Sequence, residues 1–131
     1  MIGLVLVAHA GLAAELLAAA EMIVGKIELA EVVGIRPEAN ADSVMEAITG
    51  AIDRVSGSGV IIMTDMFGGT PSNMSLSFLA ENKVEVLTGV NLPMIIRFVS
   101  DRNQNGIAEL AGKIKESGIE GISIAGDYLK K

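Results

Sequence analysis

The sequence predicts an α/β domain in which a parallel sheet carries helices on both faces, making a three-layer sandwich. Apolar runs of strand length alternate with longer segments of helical period, the pattern of repeated strand and helix crossovers. The runs are rich in Val, Ile and Leu with little polar alternation, as strands buried on both faces require. Half of the residues are hydrophobic (50%), and a length of 131 is enough for a single domain, 1–131, to bury such a core without disulfides or a structural metal.

The first run, Ile2 to Ala8, ends at His9. From Ala10 to Val24 apolar positions recur at helical spacing and alanine is abundant, which predicts a helix closed near Gly25. A second strand is expected over Ile27 to Ile35. Pro37 then breaks the chain, and Asn40 or Asp42 caps a helix reaching about Val55 before the loop Gly57, Ser58 and Gly59. The third strand, Val60 to Thr64, ends at Asp65. There the turn Asp65-Met-Phe-Gly-Gly-Thr-Pro-Ser-Asn73 leads into a helix running to about Glu81. Thr70 is placed as its N-cap and Pro71 at the first helical position, where a missing N–H costs nothing. A fourth strand, Val84 to Thr88, precedes Gly89-Val-Asn-Leu-Pro-Met94 and a helix to about Ser100. A last helix, about Ile107 to Ser117, is expected to stop at Gly118, and Gly121 to Ala125 reads as a fifth strand.

Composition excludes several classes of function. A membrane span fails because His9, Glu15 and Glu21 interrupt the most apolar stretch, leaving nothing near the ~18 apolar residues a span needs. No basic residue precedes Lys26, so the N-terminus lacks the charged region of a secretory signal, and a cytoplasmic protein is expected. With no Cys and one His, thiolate chemistry and ordinary zinc sites are excluded; no metal or cofactor is expected. A formal charge of -6 argues against nucleic acid as a partner and leaves room for a basic protein.

The candidate site follows from strand order. In open α/β sheets the ligand crevice lies beyond the carboxyl ends of the strands where the order reverses, which in the flavodoxin-like order 2-1-3-4 is between strands 1 and 3. His9 follows strand 1 and Asp65 follows strand 3, so in that order the imidazole and the carboxylate are neighbours. A carboxylate accepting from Nδ1 fixes the tautomer and leaves Nε2 as a nucleophile, which is what phosphorylation of a histidine requires. Two helix N-termini, one after His9 and one at Thr70, supply anion stabilisation. Gly68 and Gly69 let backbone N–H groups approach a phosphoryl group, Thr70 and Ser72 add hydroxyls, and no basic side chain is required. Each residue also has a plainer explanation. A lone histidine is often structural, an acidic residue before Gly-Gly often caps a turn, and Thr70 with Pro71 is fully explained as a helix start.

With these residues located, the chain resembles the enzyme IIA domain of the mannose family of the bacterial sugar phosphotransferase system (PTS). The likeness spans nearly the whole chain and is carried by Val7-Ala-His-Ala-Gly11, by Asp65 to Asn73, and by Gly89-Val-Asn-Leu-Pro-Met94. It implies that His9 accepts a phosphoryl group from phospho-HPr and passes it to an EIIB protein, with Asp65 orienting the ring and Thr70 helping to hold the phosphoryl group. Because the sequence stops at Lys131, the EIIB acceptor is expected to be a separate protein. The resemblance further implies a homodimer in which Gly121 to Ala125 is exchanged as an antiparallel strand. Phe67 stands where some relatives carry tryptophan. Met66, Phe67 and Met94 lie beside the site and are candidates for partner docking, with core packing as the alternative.

The main rival is a response-regulator-like domain phosphorylated on Asp65, which shares the parallel sheet. Receivers need acidic magnesium ligands after strand 1, where this chain has Ala8 and His9. A flavin carrier lacks support in an aromatic content of 3%. A serine hydrolase built on Ser72 lacks the Gly-x-Ser-x-Gly elbow.

Overall fold

A computed structural model describes residues 1–66 and 68–129. The strands are β1 (Gly3–His9), β2 (Ala30–Ile35), β3 (Val60–Thr64) and β4 (Val84–Thr88). The helices are α1 (Leu12–Val24), α2 (Ala41–Val55), α3 (Thr70–Leu76), α4 (Leu92–Asp101) and α5 (Ile107–Glu120). The strands form one parallel sheet in the order β2-β1-β3-β4, as expected. Successive β1 side chains point to opposite faces, and both faces are covered. Leu4, Leu6 and Ala8 pack with Ile61 and Met63 beneath α1, α4 and α5, around Phe98, Ile95, Leu110 and Ile114. Val5 and Val7 pack with Ile62 beneath α2, against Val44, Ile48, Ala51 and Val55. This two-sided burial is why β1 reads as an unbroken apolar run.

Local chemistry sets the ends of the elements. Asn40 caps α2 by accepting from the N–H of Ser43 at 2.8 Å. Asn91 does the same for α4, accepting from Met94 N at 3.2 Å. α1 begins at Leu12 and not at Ala10, because Ala10 has φ +52, outside the right-handed helical region. β2 begins at Ala30 and not at Ile27. Ile27 N donates to Glu21 Oε2 at 3.0 Å, and Leu29, at φ +49, turns the chain into the sheet.

Further along, the structure departs from expectation in three places. The helix expected to reach Glu81 ends at Leu76: Phe78 N and Leu79 N bond back to Ser75 O and Leu76 O, and Ala80 exchanges backbone hydrogen bonds with Val84. Those bonds take the N–H groups another helical turn would use. Gly118 does not stop α5, which continues to Glu120. A Cβ there would lie 2.7 Å from Met94 Cγ, so the glycine lets α5 approach α4, and Asn91 Nδ2 donates to its carbonyl at 3.0 Å. Third, Gly121 to Ala125 is not a strand of its own sheet. Gly121 lies in a turn, residues 122–124 carry no regular structure, and Ala125–Leu129 form a short 3₁₀ helix. Ile122 and Ile124 are exposed, beyond the reach of the core.

The N-terminal end of the sheet is closed by Arg102. Its side chain is 5% exposed, donates twice to Ile2 O at 3.0 and 2.6 Å, and lies 4.7 Å above the ring of Phe98. Among the described residues no helix is long and apolar enough to cross a membrane.

Candidate functional site

At the opposite end of the sheet, the adjacency of β1 and β3 brings the residues that terminate them together. His9 is the last residue of β1, and Asp65 directly follows β3. One carboxylate oxygen, Asp65 Oδ2, accepts from His9 N at 2.9 Å and lies 2.6 Å from His9 Nδ1. The other, Oδ1, accepts from Met66 N at 3.0 Å. The aspartate is therefore locked by backbone at both oxygens, and it grips the histidine by main chain and ring alike. With the carboxylate on Nδ1, the neutral imidazole carries its proton there and leaves Nε2 with a free lone pair. The side chain of His9 is 50% exposed against 12% for Asp65, so the nucleophilic edge is open while its orienting partner is sheltered.

Burial by itself pushes the Asp65 carboxyl up, but the N–H of His9, the His9 ring with its charge, and the aspartate's own backbone N–H together hold it below its ordinary value of 3.8. The carboxylate is thus charged throughout the neutral range, ready to balance positive charge on the ring.

Gly69 lies against the outward edge of the imidazole: a Cβ on it would stand 3.1 Å from His9 Cε1 and 3.7 Å from Nε2. Any side chain there crowds the ring. Gly68, at φ +84, makes the turn that brings Gly69 in, and Gly69 itself is the N-cap of α3. Thr70, expected as the cap, is instead the first helical residue, with Pro71 next. Thr70 lines an open cleft of ≈ 360 Å³ together with His9, Ala10, Ile35, Arg36, Pro37 and Ala39.

The structure thus brings together His9, Asp65, Gly69 and Thr70, with Gly68 in the supporting turn. Two expected residues are elsewhere. Ser72 is fully buried, and its Oγ is 3.0 Å from Thr64 Oγ1, so its hydroxyl faces the core and not the cleft. Met94 is also buried, packed beneath Gly118, so its role is the core packing that was the alternative to docking. Met66 is exposed and touches the glycine turn. Phe67 lies outside the described residues. Arg36 was missed. The available signal was its position one residue beyond Ile35, the register partner of His9, once strand order is known. Among the described residues no group of three or more His, Cys, Asp and Glu is placed to hold a metal ion.

Fold and site together define a class: a doubly wound parallel α/β domain that presents a carboxylate-held histidine at the carboxyl ends of its central strands. Residues 3–115 match the EIIA-man family model, described as the PTS system fructose IIA component. The chain belongs to that family. It is 31% identical over 117 residues to the sorbose-specific EIIA component of the PTS from Lacticaseibacillus casei, covering 86% of this chain and 85% of the relative. It is 29% identical to the mannose-specific EIIAB component of Escherichia coli (strain K12), covering 92% of this chain but 38% of that longer protein. Among solved structures, PTS component EIIA from Streptococcus agalactiae superposes with a TM-score of 0.88 at 27% identity, over 97% of this chain and 99% of that one.

Proposed function

We propose that this chain is a cytoplasmic phosphocarrier of the PTS in which His9 Nε2 accepts a phosphoryl group from phospho-HPr and passes it to an EIIB protein. The observation that carries the proposal is the double hold of Asp65 Oδ2 on His9 N and Nδ1, which leaves Nε2 as the reactive nitrogen. In the transfer step, Nε2 attacks phosphorus as the donor's N–P bond breaks, and the donor nitrogen keeps the bonding pair. The proton on Nδ1 stays in its hydrogen bond to Asp65. Positive charge develops on the His9 ring and is balanced by the carboxylate. The glycine turn at Gly68 and Gly69 and the Thr70 hydroxyl flank the incoming phosphoryl group. Transfer to EIIB is the same step reversed onto a different acceptor.

Exposed Met66 suits a surface that meets donor and acceptor in turn. A homodimer is part of the proposal. In the order β2-β1-β3-β4, β4 is an edge strand. Beside it lies a groove of ≈ 370 Å³ lined by Val86, Leu87, Met94, Ile119 and Ile122, and the isoleucines of residues 122–124 are unburied within their own subunit. Exchange of that segment onto the partner's β4 satisfies both.

The test is labelling by phosphorylated HPr. The wild-type chain takes an acid-labile, base-stable label on His9. A hydroxylamine-sensitive acyl phosphate on Asp65 would instead establish the receiver-like alternative.

A further inference from the structure

The His9 cleft contains a cation for which the transfer chemistry above has no use. Arg36 lines the cleft with His9 and Thr70; among the described residues neither Asp65 nor any other carboxylate lines it. Of the arginines, Arg54 pairs with Glu31, Arg97 with Asp101, and Arg102 binds Ile2 O. Arg36 alone makes no side-chain hydrogen bond or ion pair among the described residues. Its backbone, by contrast, is firmly held. Ile35 is the register partner of His9, Ala10 N donates to Ile35 O at 2.9 Å, and Ala39 N donates to Arg36 O at 3.1 Å across the Pro37 turn. Pro37 confines the Arg36 backbone to extended conformations. The base of the side chain is therefore fixed beside the histidine while its guanidinium is uncommitted.

We propose that Arg36 is a phosphoryl-binding residue that engages the phosphohistidine at His9 and sets how tightly the chain holds its phosphoryl group; this rests on the phosphocarrier reading above. A phosphoryl group on Nε2 adds close to two negative charges to a protein whose formal charge is already -6. The guanidinium fork matches two phosphoryl oxygens at once, and among the described residues no carboxylate lines the cleft to compete for it. No bond is made or broken by Arg36. It lowers the free energy of the phosphorylated state relative to the free histidine, so phosphoryl affinity is set separately from the ring chemistry supplied by Asp65.

The experiment equilibrates phosphorylated HPr with wild type, Arg36→Gln and Arg36→Lys, and measures the ratio of phosphorylated species by ³¹P NMR. For the free proteins this ratio does not depend on how they dock. Arg36→Gln is expected to shift the equilibrium about fivefold toward phospho-HPr and to move the phosphohistidine resonance, and Arg36→Lys to restore most of the ratio. Raising salt should carry wild type toward Arg36→Gln. An unchanged ratio overturns the proposal, including the case where only the rate of transfer falls, which makes Arg36 a contact for the partner protein. Absence of any label on wild-type His9 is a different failure: it removes the phosphocarrier reading itself and this inference with it.

Discussion

The two ends of this sheet treat an arginine in opposite ways. At the N-terminal end of the strands Arg102 is buried, commits its guanidinium to the carbonyl of Ile2 and lies over Phe98. At the carboxyl end Arg36 stands in an open cleft with no protein partner among the described residues. Burial pushes the Arg102 guanidinium below its ordinary value, partly offset by Glu28, yet it remains charged, so its hydrogen bonds are what make burial tolerable. One end is closed and satisfied, and the other is left incomplete. Residues that stabilise a fold complete their bonding within the chain, whereas residues that serve a ligand keep capacity in reserve.

That contrast breaks most sharply at His9. His9→Ala should abolish labelling by phosphorylated HPr while leaving the thermal midpoint within about 2 °C of wild type, since the side chain is half exposed and supports little packing. At the closed end, Arg102→Leu should leave Ile2 O without its donors and cost about 2 kcal/mol, lowering the midpoint by roughly 8 °C in a thermal melt with phosphoryl transfer retained. If both variants lose activity and stability together, the two ends are not separable.

Asp65→Asn keeps the shape but removes the charge that, on the proposed role, balances the phosphorylated ring. Transfer should slow about 100-fold in rapid-quench kinetics, with circular dichroism unchanged. Unchanged kinetics would remove the charge-balancing role and leave Asp65 only its hydrogen bonds to His9. Acid should report the same coupling: the folded carboxyl sits below 3.8, so its contribution to stability is present above that value and is lost only as pH falls through the depressed one. The Asp65→Asn variant should lack that component of the acid transition. The smallest effect belongs to Ala10→Gly, which relieves a left-handed alanine beside the histidine and should gain about 0.5 kcal/mol, measured by urea denaturation.

The parts of the molecule legible beforehand were those governed by short-range rules. β3 and β4 occupy the expected residues because each is an apolar run bounded by turn residues, and the pairing of His9 with Asp65 follows from strand order alone. What escaped depends on tertiary contact. Gly118 reads as a helix stop but is a point of close helix approach, visible only once Met94 lies opposite it. Ser72 carries the same hydroxyl as a ligand-binding serine, and only its burial against Thr64 assigns it to the core. Arg36 sits in a turn without periodicity, so nothing local connects it with a histidine 27 positions earlier.

The grip of Asp65 Oδ2 on both the main chain and the ring of His9 has a consequence for biogenesis. His9 ends β1 and Asp65 follows β3, strands distant in sequence, so the two meet only when β1 and β3 have zipped in register. A chain still being synthesised, or one paired out of step, has a histidine but no oriented nucleophile. On the proposed role, only a finished molecule enters the relay, and the label on His9 certifies that the central strands have found each other.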